Sequence, residues 1–415
     1  MQDKKAIRLL YVTRETFPTY RVDIDVLFGK EMSRRGHMID FVMQAKSDKT
    51  PAGETAWYGR SVWVGRTAAG GGRLGRALKV LRGVWHDVDC MLRLTRSDRY
   101  AAIQVRDKFV VGALGLIIAR WRGLSFFYWL SFPVPESQIS QARAGAARFP
   151  VINWMRGRIF GWLLYRVILP GCDHAFVQSE RMKEDVVSLG ADPANLTPVP
   201  MGIDLDEFLH VPVVERHLAD RALLIGYLGT LGAQRHLEVL LEALVILLQQ
   251  GIDARIVFVG GSDRPEDVEQ LQIRACELGI ADRLEISGQL PRHEALARIR
   301  DVDIAVSPFY PIDVLLSASP TKLVEYMALG LPVVANTHPE QRLVLRESGA
   351  GVCVPWGARH FARGIAWLSR RSPKERSEIG MRGRDWVTKH RGYGAIASSL
   401  EARYLKEISR KERGN

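Results

Sequence analysis

The chain has 415 residues, 47% of them hydrophobic, and 58 Lys and Arg against 46 Asp and Glu give a net charge of +12. That length and apolar content allow a large core divided over two domains, and the basic surplus calls for an acidic partner: nucleotide phosphates, anionic lipid or nucleic acid. Cys90, Cys172, Cys276 and Cys353 follow no metal or redox spacing, and the longest apolar run is cut by Arg120 and Arg122, which excludes a cysteine metal centre and a membrane span.

The first half alternates strand and helix. MQDKK passes directly into AIRLLYVT, read as a first strand, so no leader is expected and the spaced cysteines suit a reducing cytosol. A helix follows from Val22 to Gly36, then strands MIDFVMQ and AAIQV, the helix FVVGALGLIIARW, the buried strand LSFFYWL and a long helix around VINWMRGRIFGWLLYRVIL. HAFVQS and LTPVP close this half. Such alternation predicts a parallel sheet covered on both faces. Thr55 to His86 carries no acidic residue, and GGGRLGRALKVLRGVW within it reads as a basic amphipathic helix. Ser137 to Cys172 is also acid-free, and interleaves five arginines with Phe149, Trp154, Phe160, Trp162 and Tyr165. Basic residues beside tryptophan fit contact with an anionic membrane surface, although a core helix would also account for the second stretch.

After the polar crossover PMGIDLDEFLHVPVVERHLADRA, the alternation restarts with ALLIGYLG, HLEVLLEALVILLQQG, ARIVFVGG, LEISG and DIAVSP. In LLIGYLGTLGAQRHLEVL a strand ends in a glycine turn, and Arg235 stands where the helix begins. Gly229 lets backbone approach a ligand closely, and a guanidinium at a helix start reads phosphate. FVGG and SGQLP, with Gly261, Gly288 and Leu290, are further strand-end turns suited to backbone contact with a base. The stretch SASPTKLVEYMALGLPVV predicts a helix capped by Ser319, with Pro320 in its first turn, Lys322 and Glu325 projecting, and Gly330 ending it. A free helix N-terminus with a lysine is an anion site, and a carboxylate one turn later can hold ribose hydroxyls. The plainer alternative is a capped helix with an i,i+3 ion pair. No Ser/His/Asp set or metal spacing is present.

These motifs resemble those of family 4 glycosyltransferases of the GT-B fold, across nearly the whole chain. PVPMGIDLDEF is similar to the family's Pro-x-Gly-Val-Asp-x-x-x-Phe crossover, and RRGHMIDFV to its Arg-Gly-His-x-Val. SPTKLVEYMALGLPVVA is similar to Ser-Pro-x-Lys-x-x-Glu-x-Met-Ala-x-Gly-x-Pro-Val-Val, the most specific match. The resemblance implies an α/β chain with two Rossmann-like, doubly wound parallel-sheet domains facing a central cleft. Residues 1–205 would bind acceptor, 206–390 would bind nucleotide sugar, and 391–415 would form a helix packing back toward the first domain. It implies that Arg235 and Lys322 hold a donor diphosphate, Glu325 holds the ribose, and Ser317, Ser319 and Thr321 face the donor sugar. Ser317 stands where the family often has a first glutamate, so Asp313 is a substitute candidate, and Thr230 replaces the usual arginine of the phosphate turn. On the acceptor side, Arg14 and Arg21 of TRETFPTYR take the place of a Gly-Gly pair, and Ser131 or Glu136 occupies the neighbourhood of a missing histidine.

The reaction implied is retaining and metal-independent, with no cofactor beyond the nucleotide-diphosphate sugar and with a lipid-linked or polysaccharide acceptor. The expected location is cytoplasmic, peripheral at the inner face of the membrane. Without a nucleic-acid-binding motif, no such partner is expected. Two rivals remain: a GT-B sugar-nucleotide epimerase, and a non-catalytic nucleotide-sugar-binding partner in a polysaccharide assembly complex.

Overall fold

The computed structural model describes residues 6–19, 21–66, 73–97, 99–209 and 222–414. Two compact units divide the chain: Met1–Met201 with Tyr393–Asn415, and Gly202–Gly392.

The first unit is built on an eight-stranded sheet of β1 (Arg8–Phe17), β2 (Met38–Ala45), β3 (Gly53–Trp57), β4 (Arg60–Gly65), β5 (Ala102–Arg106), β6 (Ser125–Leu130), β7 (His174–Val177) and β8 (Leu196–Pro198). Their spatial order is β3-β4-β2-β1-β5-β6-β7-β8, and every pairing is parallel except β3 with β4. Strands covered on both faces read as continuous apolar runs, and all of β6, SFFYWL, is buried. The β3–β4 hairpin is absent from the sequence expectation. Its turn is Tyr58-Gly59, both at positive φ, which gives the strands a tight reversal without an Asn-Gly signal. The basic amphipathic segment forms the helix Arg73–Leu94, longer than expected. The side chains of Arg73 and Arg76, its first glycines and crossover positions 210–221 lie outside the described residues.

The last helix, Tyr393–Gly414, belongs to this first unit. Ile396, Leu400, Tyr404 and Ile408 enter the core beside β1, β2 and β6. The Tyr404 ring meets Phe127 at 4.8 Å and Phe176 at 5.0 Å. Arg35 donates to Glu401 over 2.8 Å, and Lys411 donates to the Leu124 carbonyl over 2.7 Å.

The second unit carries six parallel strands: β9 (Leu223–Leu228), β10 (Ala254–Val259), β11 (Leu284–Ile286), β12 (Ile304–Ser307), β13 (Val333–Asn336) and β14 (Gly351–Val354). Their order is β11-β10-β9-β12-β13-β14. It reverses between β9 and β12, and connections leaving such a pair in opposite directions open a crevice at the strands' carboxyl ends. In the first unit the same reversal falls between β1 and β5. These two places position the candidate sites.

Candidate functional site

At the switch point of the second unit, β9 ends in the turn that carries Gly229 and Thr230, and β12 leads into the loop before the helix Thr321–Ala328. Lys322 sits in the first turn of that helix, half-buried, with its Nζ 5.2 Å from the centre of the Tyr227 ring. Gly229 is the reason it fits. A Cβ there would stand 2.3 Å from Lys322 Cε, and the glycine adopts φ +142. The Tyr326 hydroxyl bridges the same turn: it accepts from Leu228 N over 2.8 Å and donates to the Leu228 carbonyl over 3.4 Å. It thereby ties the Lys322 helix to the end of β9.

Arg235 lies on a short 3-10 turn, Ala233–Arg235, and donates to Thr230 Oγ1 over 3.3 Å. Burial, and then the nearby Arg235 guanidinium, pull the Lys322 ammonium down to about 8, while Glu325 opposes them. Lys322 and Arg235 thus concentrate positive charge here, with no carboxylate in ion-pair contact with Lys322 among the described residues, an electrostatic setting suited to a multiply charged anion. The helix N-terminus adds its own partial positive charge.

Glu325 does not pair with Lys322. It accepts from Arg292 Nη2 over 3.0 Å, and Arg292 Nε also donates to Glu207 over 2.7 Å. Sequence reasoning missed Arg292, which opens the helix Arg292–Arg300 immediately after the SGQLP turn. Its signal was that position, a basic residue directly after a strand-end glycine turn. The turns themselves are joined: Gly229 N donates to Val259 O over 2.9 Å, Leu231 N to Gly261 O over 2.9 Å, and Gly260 bridges Gly288. Leu290 is half-buried beside them and packs against the core that includes Leu323 and Val324.

The loop after β12 is anchored from below. Asn336 exchanges hydrogen bonds with the Phe309 backbone at 2.6 and 2.8 Å, and His338 Nε2 meets the Leu315 carbonyl at 2.9 Å. Burial lowers the pKa of His338, so the ring stays neutral. Asp313 is exposed on a 3-10 turn, Asp313–Leu315, whereas Ser317 is buried and Ser319 and Thr321 are half-buried. The expected cap differs. The N-cap of the helix is Pro320, with no side-chain capping bond, so Ser319 is one residue too early to cap it. Gly330 follows the helix at φ +68, as a helix-ending glycine does.

At the switch point of the first unit, Arg106 is fully buried at the end of β5. It donates to Asp23 over 2.7 Å, its Nε is 3.5 Å from Asp107, and its guanidinium lies 5.7 Å from the Trp129 ring. Asp23 also accepts from Arg21 over 3.0 Å, and Asp107 accepts from Ser131 N over 2.9 Å and from its hydroxyl. The structure therefore brings Arg21 and Ser131 into one network through residues the sequence did not single out. Arg14 is exposed at the end of β1 and outside that network. Glu136 accepts from Tyr165 over 2.7 Å on a different helix, Val134–Arg143. Among the described residues no group of His, Cys, Asp and Glu is arranged to hold a metal ion.

Two doubly wound sheets, the second with paired cations at its switch point, define the GT-B class of protein. Residues 215–386 match the family described as glycosyl transferases group 1, and residues 28–202 match the glycosyl transferase 4-like domain. The chain belongs to this family. A putative colanic acid biosynthesis glycosyltransferase, WcaL, of Salmonella typhimurium is 26% identical over 217 residues, covering 51% of this chain and 52% of that one. A D-inositol 3-phosphate glycosyltransferase of Xylanimonas cellulosilytica is 29% identical over 212 residues, 48% of each. The chain thus spans about half the length of the curated relatives it matches. In fold it is similar to sucrose-phosphate synthase from Thermosynechococcus elongatus, with a TM-score of 0.69 and 17% identity over 97% of this chain and 100% of that one. Anabaena HepE, solved in complex with UDP, gives 0.66 and 14% over 96% and 100%.

Proposed function

We propose that the chain is a retaining, metal-independent glycosyltransferase that moves a sugar from a nucleotide-diphosphate donor to a lipid-linked or polysaccharide acceptor in cell-surface glycan biosynthesis. It would work in the cytoplasm, peripherally at the inner face of the membrane, with no nucleic-acid partner. The observation that carries this reading is the Lys322–Arg235 pair at the switch point, a fixed clamp for a diphosphate. Group 1 family membership, the UDP bound in HepE and the naming of WcaL for colanic acid biosynthesis support the donor and acceptor classes.

In this mechanism Lys322, Arg235 and the N–H groups that open the Thr321–Ala328 helix stabilise the charge that develops on the leaving diphosphate. Glu325 receives the ribose hydroxyls and is held in place by Arg292. The turns at Gly261, Gly288 and Leu290 accommodate the base, and Gly229 with Thr230 lines the phosphates. The acceptor attacks on the face the diphosphate leaves, and the departing phosphate takes its proton. Arg14, Arg21, Ser131 and Glu136 are the acceptor-side groups.

Nucleoside diphosphates and their sugars should raise the melting temperature, because a ligand that binds only the folded state stabilises it. No shift with any of them would overturn the reading. Donor turnover without added acceptor would favour an epimerase, and binding without turnover a non-catalytic partner. For the sugar, Ser317→Ala should be mild. Asp313→Ala should lower discrimination between donor sugars by about tenfold, the scale of one polar contact to a ligand, with nucleotide affinity nearly unchanged. Equal loss of sugar and nucleotide binding in Asp313→Ala would remove Asp313 from the sugar site.

A further inference from the structure

Three helices of the first unit turn large apolar side chains to solvent. Trp85 on Arg73–Leu94 is 74% exposed, Ile117 and Trp121 on Phe109–Trp121 are 62% and 68%, and Trp162 on Pro150–Trp162 is 60%. The helices are neighbours. Gly115 of the middle one packs against Met91 of the first and against Phe126 and Val105 of the sheet. Gly112 packs against Ile168, in the helical continuation of the third. The middle helix therefore sits on the sheet through its glycines. Val110, Ile117 and Trp121 recur at spacings of seven and four, so they form one outward stripe. In Pro150–Trp162 only Gly157 is fully buried.

The charge beside this face is predominantly positive; Asp89, one turn after Trp85, is the exposed carboxylate on these helices and lies 3.9 Å from Arg93. No acidic residue occurs in 55–86, 108–122 or 137–172. The cations lie against the aromatic rings: Arg122 is 4.2 Å from the Trp121 ring and Arg158 is 5.9 Å from that of Trp154. A second copy would bring the same arginines against themselves, since a two-fold interface pairs a patch with its own image. None of the three helices is long and apolar enough to cross a membrane. Tryptophan with arginine beside it is suited instead to a boundary that is apolar on one side and anionic on the other.

We propose that this three-helix face inserts its tryptophans into the headgroup and acyl boundary of an anionic bilayer. The inference rests on the membrane-peripheral reading above and deepens it. Attachment is by apolar insertion across three helices, and is not confined to attraction by the basic helix. The full chain should float with phosphatidylglycerol–phosphatidylcholine vesicles at low salt and stay substantially bound at about 1 M salt, where the Debye length is about 3 Å. Its tryptophan emission should shift to the blue and be quenched by lipids brominated on their chains. A Trp85→Ser, Trp121→Ser, Trp162→Ser variant should lose salt-resistant binding by about tenfold or more, while keeping its melting shift with nucleoside diphosphate. Lys79→Glu with Arg82→Glu should weaken low-salt binding and leave the brominated-lipid quenching of the bound fraction intact.

Binding abolished by salt, no quenching, or tryptophan variants that bind like the parent would overturn insertion. So would a concentration-dependent dimer that the triple variant loses, because the face would then belong to a second copy. The nucleotide shift tests the transferase reading separately. Vesicle binding without any nucleotide shift would sink that reading and leave this one standing.

Discussion

Changing Lys322 or Arg235 to alanine should lower donor affinity or turnover about tenfold or more, the loss of a charge-assisted hydrogen bond of roughly 1.5–3 kcal/mol. The environment of Lys322 sharpens the expectation. Burial and Arg235 hold its pKa near 8, against 10.5 for an ordinary lysine. Between those values the unfolded chain binds the extra proton, so the unliganded fold gains stability as pH rises through that window. Donor binding should run the other way. A diphosphate favours the charged ammonium, so affinity falls as pH climbs through about 8. Lys322→Met removes a cation that is costly to bury, and should melt no lower than the parent while losing the donor and the pH dependence together. Donor titrations at several pH values, with melting curves for each variant, check this. Donor kinetics unchanged in both alanine variants, with the fold intact, would remove the clamp.

Arg106→Ala should destabilise the first unit by about 3–5 kcal/mol, the usual result of deleting one partner of a buried ion pair. Asp23 and Asp107 are both buried and would lose their shared cation. In the parent, burial raises the pKa of Asp23, but Arg106 and Arg21 overcome it, and the net effect is a lowering. A lowered carboxyl stabilises the fold above its unfolded pKa and loses that contribution as pH falls through the folded value. Without Arg106 only the partly exposed Arg21 still opposes burial at Asp23, and the sign is expected to reverse. Burial then dominates, so the variant should recover part of its deficit as pH falls toward the carboxylate range. Urea unfolding at neutral and mildly acidic pH measures both effects. Combining Arg106→Met with Asp23→Asn and Asp107→Asn should restore much of the loss, since removing all the charges avoids leaving one unpaired. A deficit independent of pH, and not recovered by the neutral combination, would mean that Arg106 matters for its volume alone.

The two wound sheets and the Lys322 region were legible because each rests on local signals. Continuous apolar strands, a glycine at a strand end and Pro320 before a helix all act within a few residues. The buried network was not legible. Arg106 ends its strand and Asp107 follows it, where charge ordinarily means a solvent-facing turn, and the pairing of β5 between β1 and β6 encloses them. Glu325 and Arg292 are 33 residues apart in the chain, so helix spacing instead suggested a partner in Lys322. The outward face of the middle apolar helix was not legible either. Apolar on every side, it reads as core, yet Ile117 and Trp121 face solvent.

The chain leaves its first unit after Met201 and re-enters it at Tyr393. During translation the ribosome must therefore emit all of the second unit before it delivers Ile396, Leu400, Tyr404 and Ile408 to the first unit's hydrophobic centre. The nascent first unit must wait with that apolar groove uncovered, while the inserted unit has every strand of its sheet and can close on its own. Maturation order is thus reversed relative to gene order: the half begun first is finished last, and its final helix acts as the clasp.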